Sequence, residues 1–264
     1  MEKKFIIIPD VHGRTFWEDA VKYSIENNVK IVFLGDYVDC YPVEFIEKMA
    51  QDPTFSPKKE VIDVLNRIID IKHLYPDNII LLIGNHDCGY AIDKDVCESR
   101  RDYLNANVLS EIFKENWDMF QLAHEVTINN KHFVFSHAGI SKEFMEEYYG
   151  LNIKKDNPVN FLNKIWKEKD YQKLKYLGVY DLYRGWGGVQ WASPVWADIR
   201  QMSTLTKENT YGDFQIVGHT QLSEDGKAVI FDYIGDFDSR KPFYIDEKGV
   251  IRNYETDEEL KKYN

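Results

Sequence analysis

Five short blocks of this 264-residue chain concentrate residues that can hold metal ions and move protons: Asp10-Val11-His12-Gly13, Gly35-Asp36-Tyr37-Val38-Asp39, Gly84-Asn85-His86-Asp87, His137-Ala138-Gly139 and Gly218-His219-Thr220. Carboxylate, imidazole and amide-carbonyl donors without a thiolate suit Mn²⁺, Fe or Zn²⁺. A carboxylate set between two such ions can bridge them at roughly 3.5–4 Å, and Asp36 is the candidate for that position. Taken singly, an aspartate after a strand commonly caps a helix, and a lone histidine is commonly structural. Taken together, four of the seven histidines (His12, His86, His137 and His219) fall inside blocks that make up a small part of the chain. His73, His124 and His132 fall outside and read as structural or surface residues.

The segments between the blocks supply the elements that would position them. Phe5 to Ile8 is a continuous β-branched and aromatic run, the pattern of a strand buried on both faces, and it leads into Pro9-Asp10. Thr15 is expected to cap a helix running to about Asn28; Ile31 to Leu34 is a second buried strand, followed by Gly35-Asp36. Ser56-Pro57 opens an amphipathic helix carrying Val61, Leu65, Ile68 and Ile69, and Ile79 to Ile83 delivers Gly84-Asn85. This rhythm predicts parallel strands with helical crossovers, whose polar loops gather beyond the strands' carboxyl ends. A helix is expected from about Val108 to Gln121, strands at Glu125 to Ile128 and His132 to Phe135, helices near Ser141 to Tyr149 and Val159 to Glu168, and a strand at Phe214 to Val217. Ala228 to Tyr233, Phe243 to Ile245 and Val250 to Tyr254 read as a terminal β-meander closing a second sheet. Glycines at 13, 35, 84, 139 and 218 permit the close backbone approach that a site reached from five loops needs.

Composition narrows the class. Hydrophobic residues at 44% and charged residues at 29% are ordinary for a globular enzyme, and no linker-like stretch divides residues 1–264, so one domain is expected. A net charge of −11 argues against an extended nucleic-acid footprint, although a metal cluster would still attract a phosphorylated group. Cys40, Cys88 and Cys97 lack zinc-ligand spacing and read as reduced thiols, with Cys40 and Cys88 as small buried fillers. With no signal-peptide core and no apolar segment of spanning length, a cytoplasmic location is expected.

The five blocks resemble the calcineurin-like metallophosphoesterases, in a form closest to the phosphoprotein phosphatase branch: D-x-H-G, G-D-x-V-D, G-N-H, H-A-G and G-H-T, in order from Asp10 to Thr220. The resemblance implies a four-layer α/β/β/α sandwich with two mixed sheets. It implies that Asp10 and His12 hold one metal, that Asp36 bridges, and that Asn85, His137 and His219 hold the other. It leaves His86 unligated, placed to protonate the leaving-group oxygen and oriented by Asp39. Phosphoryl transfer needs a nucleophile, charge neutralisation on the non-bridging oxygens and a proton for the leaving oxygen. Two divalent or trivalent ions, Mn²⁺ foremost, would supply the first two through a bound hydroxide and direct contact, and a carboxylate-paired histidine the third.

Three departures bear on the substrate. Cys40-Tyr41 stands where the phosphatase branch has Arg-Gly, Ile83 where it has Arg, and Asp87 where it has Glu. Arg14, Arg100, Arg101, Arg184 and Arg200 are the available replacements; Trp196-Ala197-Asp198 is similar to the family's Trp-Ser-Asp, which makes Arg200 the first choice for gripping phosphate and Arg184 the second. The expected activity is hydrolysis of a phosphomonoester, on phosphoprotein or a small phosphorylated molecule. The alternatives are a dinucleoside-polyphosphate hydrolase or phosphodiesterase, to which the stretch with Trp186, Trp191 and Trp196 speaks, and a catalytically inactive metal-binding module. For those tryptophans the structural reading is a loop packed on the sheet.

Overall fold

Alternation inside the first strands decides the layering. Strand β1 (Lys3–Ile8) has four consecutive buried apolar residues, and successive side chains leave opposite faces, so both faces need an apolar partner. Ile6 and Ile8 enter a core shared with helices, whereas Phe5 and Ile7 enter a second core between two sheets. Strands β2 (Lys30–Phe33) and β3 (Ile79–Leu82) divide likewise, with Ile31, Phe33, Ile79 and Leu81 on the helix side and Val32 and Leu82 between the sheets.

The computed structural model describes residues 2–97, 99–221, 228–238 and 240–262. The remaining strands are β4 (Phe120–Gln121), β5 (Ala123–Ile128), β6 (Lys131–Ser136), β7 (Phe214–Val217), β8 (Val229–Ile230), β9 (Ile234–Asp236), β10 (Phe243–Asp246) and β11 (Ile251–Asn253). One sheet has the order β11-β10-β1-β2-β3-β4, parallel from β1 to β4 and antiparallel at β10 and β11. The other has the order β5-β6-β7-β9-β8, parallel across β6, β7 and β9. Phe133, Phe135, Phe214 and Ile216 face the first sheet. Outside it, Val217 and Ile234 pack with Ile199 and Met202 of a short helix. The chain is thus a mixed α/β sandwich with two mixed sheets between helical layers.

The helix Pro57–Leu74 forms as expected: Ser56 Oγ accepts from Lys59 N, Pro57 fills the first turn, and Val61, Val64, Leu65, Ile68 and Ile69 make one buried stripe. The first helix begins later than expected, at Glu18, and Thr15 gives it no side-chain cap. Residues 15–17 turn instead, so that Trp17 is buried against Phe33 and its indole donates to Arg14 O at 2.8 Å. The helix expected to reach Gln121 stops at Glu115, because a 3-10 turn at Trp117–Met119 lets Trp117 stack on Trp166 at 3.9 Å and feeds Phe120 into β4. The expected C-terminal meander is split: β8 and β9 extend the second sheet, but β10 and β11 return to the first, where Phe243 and Ile245 fill the inter-sheet core beside β1. No helix among the described residues is long and apolar enough to cross a membrane.

His124 on β5 is structural. Its ring lies 5.7 Å from Phe5 and 6.1 Å from Phe135, and burial, aided by Lys30, pushes its pKa down to about 4. A depressed folded-state pKa means that the unfolded chain binds the proton first, so this contribution is complete above about pH 6.5 and is lost as pH falls toward 4. In chemical denaturation of metal-free protein, His124→Leu should therefore lose less stability than the parent between pH 7 and 4.5. Identical pH slopes would exclude this role.

Candidate metal centre

Five of the parallel strands, drawn from both sheets, end in loops that bring the candidate residues together. Asp10 and His12 follow β1, Asp36 and Asp39 follow β2, Asn85 and His86 follow β3, His137 follows β6, and His219 follows β7. His12, Asp36, Asp39 and His219 all have positive φ, at 46°, 51°, 56° and 75°. Left-handed backbone at a non-glycine residue is costly, and its recurrence at these four positions shows loops bent to aim side chains inward. Gly84 and Gly218 allow the closest approaches: a Cβ on Gly84 would collide with Asp36 Oδ1, and one on Gly218 with Asp10 Oδ1.

The six sequence-named ligand candidates come together. Asp10, His12 and Asp36 form one cluster with donor atoms within 4.8 Å of one another, and Asp36, His137 and His219 form another. Asp36 belongs to both, its Oδ2 lying 3.7 Å from His12 Nε2 and 3.5 Å from His137 Nε2. Asn85 Oδ1 sits 2.9 Å from His137 Nε2. Backbone carbonyls fix the imidazoles: His12 Nδ1 donates to Val38 O at 2.6 Å and His137 Nδ1 to Leu34 O at 2.9 Å, leaving both Nε2 lone pairs facing inward.

The electrostatics fit a metal. Burial, with Asp238 and Asp36 adding, raises the Asp10 pKa well above the carboxylate range. Burial lowers His12 to about 3, lowers His137, and together with Arg184 holds His219 far below the imidazole range. His219 Nε2 is buried without a hydrogen-bond partner, and its Nδ1 faces the His137 Nε2 lone pair at 3.1 Å. Neutral imidazoles and crowded carboxylates converging on one point are the donors a divalent cation requires, and the cation would offset the repulsion among them.

His86 stands apart from both clusters. Its Nδ1 contacts Asp39 Oδ2 at 2.8 Å; Asp39 Oδ1 accepts from the Tyr90 hydroxyl and, at 3.3 Å, from Asp102 N. Burial opposes charge on this ring, but Asp36 and Asp39 outweigh it and raise the pKa. On the other side, Arg100 Nη2 reaches His86 Nε2 at 2.9 Å, with its guanidinium 3.5 Å above the Tyr41 ring. Nε2 accepts in this arrangement, so the ring proton lies on Nδ1.

The cavity over the clusters holds about 200 Å³ and is walled on its arginine side by Arg100 and Arg184. Arg184 Nη2 donates to Thr220 Oγ1 at 2.7 Å and pairs with Asp198 at 3.2 Å. Arg200 lies outside the lining, its guanidinium bidentate on Asp198 at 2.8 and 2.7 Å. Arg14 pairs with Glu44 at 3.0 Å. Of the tryptophans, Trp196 lines the cavity beside His219, Trp191 packs against the core, and Trp186 is fully exposed. All three cysteines are buried, and burial pushes each thiol upward, Cys40 to about 11 and Cys97 to about 12.

Sequence reasoning missed two features. Asp238, beyond β9, enters the cavity; burial, with Asp36 and Glu44 adding, pushes it up to about 6 against the pull of Arg14. The signal was present, because Ile234-Gly235-Asp236-Phe237-Asp238 repeats the strand-Gly-Asp pattern of the second block. Asp87, noted only as a replacement for Glu, is the keystone of two loops: its Oδ2 accepts from Asp36 N at 2.8 Å and Gly84 N at 2.9 Å, and its Oδ1 from Tyr37 N at 2.9 Å. Asp87→Ala would strand three buried donors, so a loss of about 3 kcal/mol or more is expected together with lower metal content. Unchanged metal content by elemental analysis would contradict the link between this carboxylate and the Asp36 loop.

Among solved structures, the chain is similar to a protein serine/threonine phosphatase from Saccharomyces cerevisiae with similarity to human phosphatase PP5, at 14% identity and a TM-score of 0.44, covering 97% of this chain and 81% of that one. No curated protein matches the sequence. The family model for calcineurin-like phosphoesterases matches residues 3–222, which span the strand-end loops from Asp10 to Thr220. The chain belongs to the calcineurin-like phosphoesterases and is a metal-dependent enzyme of phosphoester hydrolysis.

Proposed function

We propose that this protein is a two-metal phosphomonoesterase in which Asp10 and His12 hold one ion, Asn85, His137 and His219 hold the other, Asp36 bridges, and His86 is the general acid. The carrying observation is that one carboxylate, Asp36, belongs to both donor clusters while the His86 imidazole, outside both, sits on a carboxylate of its own. Mn²⁺ is the expected ion, with Fe or Zn²⁺ compatible with the same donors. When bound, the ions supply charge neutralisation at the phosphoryl oxygens and a water acidic enough to attack near neutral pH.

The remaining work falls to side chains. Asp39 holds His86 through Nδ1, so that Nε2 faces the cavity, and the Tyr90 hydroxyl fixes Asp39 in turn. Once Arg100 has moved off Nε2 and onto the substrate, that nitrogen takes up a proton from solvent, which the carboxylates Asp36 and Asp39 favour, and delivers it to the leaving oxygen. Arg184, steadied by Thr220 and Asp198, presents its guanidinium to the transferred phosphoryl group, and Asp198 is the shared anchor that keeps Arg200 away from it. A cavity of about 200 Å³ supports a phosphoryl group with a small part of its ester inside, as in a phosphoprotein or a small phosphorylated molecule.

A dinucleoside-polyphosphate hydrolase or phosphodiesterase is the second reading. The observation in its favour is Trp186, fully exposed between Gly185 and Gly187 and two residues beyond Arg184, where a base could stack. Turnover of an aryl phosphate but not of a bis-aryl phosphate supports the monoester reading; the reverse preference replaces it with the second.

His86→Asn should keep its metal content and lose about 10²-fold or more in kcat with alkyl phosphates, and less with 4-nitrophenyl phosphate, whose leaving group needs no proton. Asp36→Asn should lose metal. Equal metal loss in the two variants would place His86 among the ligands. Arg184→Ala should raise KM about tenfold or more, and Arg200→Ala should not; the opposite order in steady-state kinetics would return the phosphate grip to Arg200.

A further inference from the structure

A second cavity of about 220 Å³ lies beside the metal cavity, and Asp39 and Arg100 belong to the apparatus of the first while lining the second. Asp39 holds the ring of His86 through Nδ1 and Arg100 touches its Nε2, so the second cavity adjoins the proposed acid through two residues in contact with it. Its walls carry three cations, Lys58, Arg100 and Arg101, against the two carboxylates Asp39 and Asp102.

Those carboxylates are already engaged. Asp102 Oδ1 accepts from Lys58 Nζ at 2.7 Å and Leu104 N at 3.1 Å, and its Oδ2 accepts from Asn105 Nδ2 at 2.7 Å. Asp39 is taken by His86, Tyr90 and Asp102 N. The guanidiniums are in the opposite condition. Arg100 lies 3.5 Å over the Tyr41 ring and Arg101 4.2 Å over the Tyr90 ring, and Arg101 Nη1 donates to Gly89 O. Among the described residues neither makes an ion pair with a carboxylate. In a chain of net charge −11, two neighbouring guanidiniums over tyrosine rings, neither of them ion-paired with a carboxylate among the described residues, give this wall one more cation than carboxylate and donors to spare.

We propose that this cavity is a leaving-group subsite for a second phosphate, so that preferred substrates are phosphoesters whose leaving group itself carries a phosphate. The planar forks of Arg100 and Arg101 match phosphate oxygens, and the leaving group departs with its own phosphate intact after water adds to the reacting phosphorus and the ester oxygen takes a proton. This inference rests on the phosphoesterase reading above.

The test compares 1,3-propanediol bisphosphate with 1,3-propanediol monophosphate on Mn²⁺-loaded enzyme, with 4-nitrophenyl phosphate as the reference for basal activity. The expected result is a kcat/KM at least about tenfold higher for the bisphosphate, falling to about twofold in Arg101→Gln while 4-nitrophenyl phosphate turnover is unchanged. A wild-type ratio of about two, the statistical value for two equivalent phosphates, overturns the subsite without reference to any variant. A high ratio that survives in both Arg101→Gln and Lys58→Gln overturns it as well. Failure to hydrolyse 4-nitrophenyl phosphate and both propanediol phosphates overturns the phosphoesterase reading itself, and the subsite with it.

Discussion

Two buried carboxylates, Asp10 and Asp36, and three neutral imidazoles, His12, His137 and His219, are directed at one small space, and a cation is what can balance them there. Much of the surrounding structure follows from that convergence. The donors come from the ends of strands in two sheets, so the sheets must pack face to face with their parallel strands ending at the same edge. The loops must reverse within a few residues, which explains left-handed backbone at His12, Asp36, Asp39 and His219 and bare glycine at 84 and 218. The carbonyls of Leu34 and Val38, at and just past the end of β2, then select the imidazole tautomers.

Rigidity is concentrated behind the donors. Asp87 accepts three backbone N–H groups from the Asp36 and Asn85 loops, so the second and third strand ends move as one unit. Asp39 does comparable work for His86, and the Tyr90 hydroxyl secures Asp39. Asp198 holds Arg184 and Arg200 at once, which separates a guanidinium facing the cavity from one facing away. These carboxylates hold other groups in position, and each sits within hydrogen-bonding distance of a residue aimed at the cavity.

Much of this was legible in the sequence. Continuous apolar runs ending in Gly-Asp or Gly-Asn marked buried parallel strands and their loops, because only such runs can satisfy two apolar faces. Period-3.6 patterning with Ser56-Pro57 in front marked the long helix. Tertiary demands hid the rest. Trp17 and Trp117 are pulled into cores and shift helix ends that local propensity places elsewhere, and β10 and β11 leave their sequence neighbours because the exposed edge of β1 needs cover. That Arg184 lines the cavity while Arg200 lies outside it depends on how Asp198 holds the two, and no local spacing records that. Asp238 was written in a Gly-Asp pattern like that of the second block, in the segment read only as a terminal meander.

Electron paramagnetic resonance of Mn²⁺-loaded protein, paired with metal quantification, tests the shared carboxylate most directly. About two Mn²⁺ per chain with an exchange-coupled spectrum, collapsing to uncoupled or lost Mn²⁺ in Asp36→Asn, is the result that a bridging Asp36 predicts. One Mn²⁺ per chain, or two without exchange coupling in the parent protein, would contradict it.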